Sequence, residues 1–334
     1  METLRIGILG AARIAPVALI KPAKAEPRVE VTAVAARDRA KAESFASKHS
    51  IPRVLSTYED LISDPEIDAI YNPLPNGLHA TWTIKALEAR KHVLCEKPFA
   101  ANAEEARKVA AVAASKSDRV VMEAFHYRYH PLVERMVAIL RSGEIGDIRH
   151  IETRLCVPYM KKGDIRYRLD LAGGATMDVG CYAIHLLRTL AGSEPKVVSA
   201  RAKLSSPKVD RWMQAEFNLP GGATGKMTCA LFSASLISTG AKVIGSKGEM
   251  SAINTTAPHI FHRLTIKTPN AKRTEKLDRH STYSYQLRAF ADAVLDGKPV
   301  LTPPSDSIAN MEVIDAVYEQ SGLGKRPTWT GSST

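Results

Sequence analysis

The first 120 or so residues alternate without interruption between short apolar runs and longer stretches of helical periodicity. Residues 4–9, 29–36, 67–71, 92–95 and 119–123 read as strands, and 13–24, 38–48, 57–63, 78–89 and 102–116 as helices. Parallel strands need a crossover between them, and a helix is the usual one. Strict alternation therefore predicts βαβ units wound into one parallel sheet with helices on both faces. After about residue 124 the rhythm changes. A helix at 130–141, a strand near 148–157 and a helix at 178–190 precede consecutive strand-like runs at 196–205, 211–219, 223–233, 239–245, 249–254 and 260–267. Helices at 283–296 and 306–320 close the chain. Strands joined by turns such as "PGG" at Pro220–Gly222 predict a largely antiparallel open sheet with helices on one face. The expected architecture is a doubly wound α/β domain over 1–123, followed by an α+β domain over 124–334.

A chain of 334 residues exceeds one ordinary core, in keeping with two domains. Lys and Arg number 46 against 35 Asp and Glu, a net charge of +11 that favours anionic ligands such as phosphates. The basic residues are scattered, with no basic run interleaved with aromatics, which argues against nucleic acid. Cys95, Cys156, Cys181 and Cys229 lie far apart and form no CxxC pair, as expected of reduced thiols rather than a disulfide frame or zinc site. The opening "METLRIGILG" shows neither a basic n-region nor an apolar h-region, so a signal peptide is not expected. The uncharged run from Met227 to Ala241 is too short and too rich in Ser and Thr to span a membrane. The expectation is a cytoplasmic protein.

The first strand runs into "GAARIA", Gly10 to Ala15. A dinucleotide loop needs a glycine for its tight turn, a small residue where backbone approaches the pyrophosphate, and a small residue for helix packing. Gly10, Ala12 and Ala15 meet those needs, and Arg13 and Ile14 complete the loop at a helix N-terminus suited to phosphate. A plain βα turn is the alternative reading of this loop by itself. The second strand ends at "AARDR". An acid there would hold the ribose hydroxyls of NAD, whereas an arginine suits the 2′-phosphate of NADP. Arg37 stands at that end, Asp38 reads as the cap of the next helix, and Arg39 adds a second cation. NADP(H) is therefore expected in preference to NAD(H).

Four segments together carry a resemblance: "AIYNPLPNGLH", "CEKP", "MEAFHYRYHP" and "GGATMDVGCYAIH". In this combination the chain resembles the Gfo/Idh/MocA oxidoreductases over nearly its whole length, especially the dihydrodiol and aldose dehydrogenases and ketosugar reductases. The resemblance implies NAD(P)-dependent hydride transfer at a carbinol or ketone carbon of a sugar, polyol or cyclic diol. It implies that Pro73, Leu74, Asn76 and His79 line the cofactor; Glu96 either pairs with Lys97 or contacts the cofactor, and Arg128 either lines the same cleft or lies on the surface. Lys97 becomes a catalytic and substrate-orienting residue at a strand end, where ligands of an open parallel sheet lie. A cis Lys97–Pro98 bond is expected there, since cis bonds are largely confined to X–Pro.

Asp178, Tyr182 and His185 recur at i, i+4 and i+7, one face of an α-helix amid apolar neighbours. A satisfied internal network and a catalytic stripe both fit that spacing. The resemblance implies that Asp178 binds substrate hydroxyls and that Tyr182 replaces the histidine many members use as proton donor; His185 is the third catalytic candidate. Arg166 and Tyr167 sit on a loop that either contacts substrate or faces solvent. Glu123, His126 and His130 have ligand-like spacing, but a strand at Glu123 breaks helical geometry, so no metal site is expected. A homodimer or homotetramer is expected through the second sheet, with "GKMTCALFSAS" offering apolar residues to its free face. The competing reading is a non-catalytic regulator that senses a dinucleotide.

Overall fold

The structure, a computed structural model, describes residues 3–159, 163–232 and 237–331. The chain divides into two units: residues up to His126 together with Tyr283–Ile308, and Tyr127–Thr282 together with the segment from Ala309 onward.

In the first unit six strands pair in the order β3-β2-β1-β4-β5-β6, every pair parallel. They are β1 (Leu4–Leu9), β2 (Val29–Ala35), β3 (Arg53–Leu55), β4 (Ala69–Asn72), β5 (His92–Cys95) and β6 (Val121–Glu123). Between them lie α1 (Lys21–Ala23), α2 (Arg39–His49), α3 (Tyr58–Ser63), α4 (His79–Glu88) and α5 (Ala103–Ser115). Buried parallel strands read as continuous apolar runs. Ile6, Ile8, Leu9, Ile70, Val93 and Leu94 are all fully buried. Strand β3 lies outside the sequence expectation: three residues are too few to show a period. The order reverses between β1 and β4, which puts the ligand crevice at the carboxyl ends of these strands. Helix α8 (Thr282–Asp296) is tied to this unit by Arg28, which donates to Asp292 at 2.6 Å and to Asp296 at 3.1 Å. Thr302 and Glu123 also exchange a backbone bond of 3.1 Å and a hydroxyl bond of 2.7 Å.

The second unit holds eight strands in the order β14-β13-β12-β11-β7-β10-β9-β8. They are β7 (Ile148–Cys156), β8 (Lys196–Ser206), β9 (Val209–Asn218), β10 (Thr224–Ala230), β11 (Ser238–Gly245), β12 (Glu249–Ile253), β13 (Arg263–Thr268) and β14 (Ala271–Glu275). Among the described residues, only β7 and β10 of this sheet pair in parallel. The edge strand β14, "AKRTE", was not expected; it is polar after Ala271 and none of its residues is buried, so no apolar face marks its period. Helices α6 (Pro131–Arg141) and α7 (Cys181–Ala191) belong to this unit, and α9 (Pro304–Gln320) runs from the first unit into it. Thr153 of β7 donates to the Ala183 carbonyl of α7 at 2.9 Å, and a Cβ added at Gly225 of β10 would meet Leu187 at 3.1 Å.

That packing corrects one expectation. Except for exposed Phe232, the described apolar residues of "GKMTCALFSAS" do not face outward. Gly225, Met227 and Cys229 turn toward the helices, and Met227 and Cys229 are fully buried. The alternate residues Lys226 and Thr228 take the other face, where Lys226, Glu152 and Lys242 stand side by side across three strands. The free face is polar because its helix-covered partner face already consumes the apolar positions of each strand. The last residues of that run, Ser233 to Ser235, lie outside the described residues. No helix among the described residues is long and apolar enough to cross a membrane.

Candidate active site

The first set of groups lies at strand ends of the first unit. Gly10 follows β1 with φ +85°, a conformation that glycine adopts without strain. A Cβ there would meet Leu74 Cδ2 at 3.3 Å and Tyr58 Oη at 3.6 Å, so only a glycine leaves this cradle open. Ala12 is half-buried, Arg13 and Ile14 are exposed, and Ala15 is fully buried against the fold. The following helix opens as a π turn, Pro16–Ile20, before α1. The bare glycine, the exposed loop and the helix start fit a dinucleotide diphosphate.

At the end of β2, Asp38 caps α2 by accepting from the Lys41 amide at 3.1 Å, as the sequence predicts. Arg37 is exposed, and its backbone and side chain both engage the Tyr58 hydroxyl. Burial pushes the Tyr58 phenol up, and Arg37 opposes that shift. Arg39 is shared between Glu43 at 2.8 Å and Ser56 at 3.1 Å. Two cations and a tyrosine hydroxyl thus border the end of β2, with no carboxylate at the Arg37 position.

The loop after β4 is held by side chains that serve the backbone. Asn72 donates to the His79 carbonyl and to Thr83 Oγ1, each at 3.1 Å. His79 is almost fully buried, with Nδ1 2.7 Å from the Pro98 carbonyl and Nε2 2.7 Å from the Leu74 carbonyl. Burial pushes its pKa down to about 4. Its ring lies between the loop after β4 and the loop after β5, and in its neutral form donates to one of the two carbonyls. The Glu96 amide donates to the Asn72 carbonyl at 3.0 Å, and its carboxylate accepts from Tyr71 at 2.7 Å. Lys97 follows, half-buried, and the Lys97–Pro98 peptide is cis as expected. His126 stacks on Tyr283 with ring centroids 4.0 Å apart, and burial near Glu96 pushes the Tyr283 phenol up.

The second set lies in the second unit. A π turn, Thr176–Gly180, runs directly into α7. Such turns are rare and cluster at functional sites. It alters the expected stripe: Tyr182 and His185 remain one above the other inside α7, but Asp178 sits in the wider turn. There Arg166 donates to Asp178 at 2.8 Å and to Asp164 at 3.1 Å, with its guanidinium 4.5 Å over the Tyr159 ring. Burial pulls the Arg166 pKa down, but Asp178 and Asp164 more than offset this and hold it above its usual range. Tyr167 donates to the Tyr159 carbonyl at 2.5 Å, so it braces the same loop. Arg128 is half-buried on the turn His126–Tyr129, and His130 caps α6 by accepting from the Leu132 amide at 3.1 Å.

Three residues that sequence reasoning passed over support this helix. Asp210, fully buried, accepts from the Thr176 amide and hydroxyl at 2.7 Å each and from Tyr318 at 2.9 Å. Burial pushes its carboxyl up. Gly174 leaves room for that carboxylate. Arg326 lies 3.8 Å over the Tyr318 ring and donates to the Lys208 carbonyl at 2.6 Å. The signal for Asp210 was a charge inside the strand run "KVDRW". Tyr127 is the third, buried with its hydroxyl 2.6 Å from His185 Nδ1.

Comparison with known proteins agrees with both halves. Residues 4–125 match an oxidoreductase family with an NAD-binding Rossmann fold, and residues 133–251 match the GFO/IDH/MocA C-terminal domain. The chain is 35% identical over 324 residues to D-xylose 1-dehydrogenase (NADP(+)) 2 of Haloferax volcanii, covering 96% of this chain and 98% of that one. It is 29% identical to trans-1,2-dihydrobenzene-1,2-diol dehydrogenase of Xenopus laevis, covering 87% and 88%. Among solved structures it is similar to a 3-ketoreductase from Actinomadura kijaniata in complex with NADP and TDP-benzene, with a TM-score of 0.88, 29% identity and coverage of 96% and 98%. Two domains matched in order, and relatives spanned end to end, assign this chain to the Gfo/Idh/MocA family of NAD(P)-dependent oxidoreductases.

Proposed function

We propose that this chain is an NADP-dependent oxidoreductase that transfers hydride at a carbinol or ketone carbon of a sugar, polyol or cyclic diol. The observation that carries the reading is the pairing, in one chain, of an open Gly10 cradle bordered by Arg37 with a Lys97 turn at a parallel strand end. The relatives named for NADP, xylose and a dihydrodiol support the cofactor and the substrate class. When bound, NADP supplies or accepts the hydride.

The residues of this chain handle everything else. Gly10, Ala12, Arg13 and Ile14 carry the diphosphate on a loop and helix start that present backbone amides. Arg37, with Tyr58 beside it and Arg39 near, pairs the 2′-phosphate. A carbinol that loses hydride must also lose the proton on its oxygen. Tyr182 takes that proton in oxidation and returns it in reduction, and Lys97 is the catalytic and substrate-orienting cation at its strand end. Asp178, oriented by Arg166, accepts from a neighbouring substrate hydroxyl. Buried Asp210 fixes the π turn that presents Asp178. A panel of D-xylose, D-glucose and trans-1,2-dihydrobenzene-1,2-diol, followed by NADPH absorbance, tests the activity; no turnover with any of them overturns it.

The free face of the second sheet, polar but dotted with exposed Ile244 and Ile253, pairs with a second copy of the chain in this reading. Light scattering that gives a monomer mass at micromolar concentration refutes the pairing. All four cysteines are buried and free of disulfides, which supports a reducing, cytoplasmic setting.

A further inference from the structure

We infer that Tyr127 is a positioning residue for Tyr182 and acts through a hydrogen bond with His185. The inference rests on the proposed role of Tyr182 as the proton-transfer group. Tyr127 is 1% exposed, His185 2% and Tyr182 8%, so water does not compete for the polar atoms that join them. The Tyr127 hydroxyl lies 2.6 Å from His185 Nδ1. With that hydroxyl as donor, Nδ1 is the acceptor and the neutral imidazole carries its proton on Nε2. His185 is three residues beyond Tyr182 in α7, so the two side chains are stacked neighbours on one helix face.

The three rings form a compact group. The Tyr127 centroid stands 5.7 Å from that of Tyr182 at 59° and 5.7 Å from that of His185 at 87°. Those separations fall within the range of favourable edge and offset ring contacts. The hydrogen bond pins the Tyr127 ring from one side, and the pinned ring forms a wall against the Tyr182 phenol. A phenol has two rotatable side-chain torsions, and a fixed wall removes most of its freedom to swing. Proton transfer demands heavy atoms within hydrogen-bond reach, so a loosened phenol loses rate without losing bound substrate. The same bond commits Nδ1 of His185 to the protein interior. His185 is thereby assigned to orientation, and proton transfer stays with Tyr182.

Steady-state kinetics with NADP+ and D-xylose, or the dihydrodiol if it turns over faster, tests this with Y127F, H185L, the double variant, H185Q and Y182F. Y127F and H185L are each expected to lower kcat about tenfold while KM and NADPH affinity stay within twofold. The double variant should fall no further than either single one, because the pair acts as a unit. H185Q, whose amide oxygen accepts from Tyr127, should recover most of the rate lost in H185L. In 15N-histidine NMR the Nδ1 signal of His185 should show an acceptor nitrogen in the parent and move in Y127F. Parent turnover in Y127F, additive losses in the double variant, or an unmoved Nδ1 signal would overturn the inference while leaving the proposed function standing. Parent turnover in Y182F, or no activity in the parent chain, would overturn both. Y127F keeps its ring, so it decides the matter even where H185L fails to fold.

Discussion

Lys97 stands where a buried parallel strand stops, and the groups that hold its turn are mostly backbone: the Asn72 carbonyl, which accepts from the Glu96 amide, and the Leu74 and Pro98 carbonyls, which lie against the His79 ring. Tyr182 and Asp178 stand on a helix whose start is held by polar side chains: buried Asp210 under Thr176 and half-buried Arg166 beside Asp178. The first arrangement follows from topology, because any open parallel sheet delivers its strand ends to one edge. The second depends on side chains far apart in sequence that must all be paired, since an unpaired buried polar group is costly. One unit places its chemistry by fold, the other by a polar network.

Variants in the reacting groups should show the largest effect and treat both units alike. Lys97→Met and Tyr182→Phe are each expected to lower kcat by roughly a hundred- to ten-thousand-fold while NADPH still binds. Stopped-flow turnover beside a fluorescence titration measures both; equal loss of NADPH binding would mean that the substitution had damaged the fold instead.

The second unit should be the more fragile to loss of one buried acceptor. Asp210→Ala leaves the Thr176 amide, the Thr176 hydroxyl and the Tyr318 hydroxyl without their acceptor. At about 1–3 kcal/mol for each unsatisfied group, partly relieved by entering water, a loss of about 4 kcal/mol in urea unfolding is expected. Asp210→Asn keeps an acceptor oxygen and should lose less. Equal stability of Asp210→Ala and the parent would erase the contrast between the units.

In the first unit the cofactor preference should hang on one exposed side chain. Arg37→Ala is expected to weaken NADPH by roughly ten- to a hundredfold, the worth of a charge-assisted bond, and to leave NADH unchanged. Isothermal titration with both cofactors measures this, and an unchanged NADPH affinity would move the 2′-phosphate contact to Arg39.

A last effect is shared and depends on pH. His92 and His130, one in each unit, accept backbone amides on Nδ1 from Val120 and Leu132, and burial pushes both down to about 4. A histidine with a depressed folded pKa binds its proton more readily in the unfolded chain. The stability it contributes is therefore complete above about pH 6.5 and is lost as pH falls toward 4. Urea midpoints should decline across that window by on the order of 2 kcal/mol per histidine. His130→Gln should flatten part of the decline, and a profile identical to the parent would assign the loss elsewhere.

The parallel sheet was legible because its strands are buried on both faces and three of its helices, α2, α4 and α5, run for ten residues or more. The short β3 and the polar β14 were not, because neither offers a hydrophobic period to read. Lys97, its cis bond and the Asp38 cap were legible from local residue order. The π turn at Thr176–Gly180 was not: a helix widened by one residue keeps the same composition, and only the packing against Asp210 shows it.

By itself the amino-acid order determined the succession of strands and helices, the glycine at the first βα turn and the arginine after the second strand. Each of these depends on neighbours within a few residues, where steric preference and periodicity act directly. Tertiary structure decided which face of β10 met α7, and so turned Met227 and Cys229 inward and left Lys226 half-buried on the other face. It also returned Tyr283–Ile308 to the first unit and brought Tyr127 to His185 and Tyr318 to Asp210, 58 and 108 residues apart. An alternating strand has the same pattern whichever face is covered, and a buried polar atom accepts any partner of suitable geometry. Both choices are made only when distant segments pack, because burial rewards the face that finds a helix and the polar group that finds its pair.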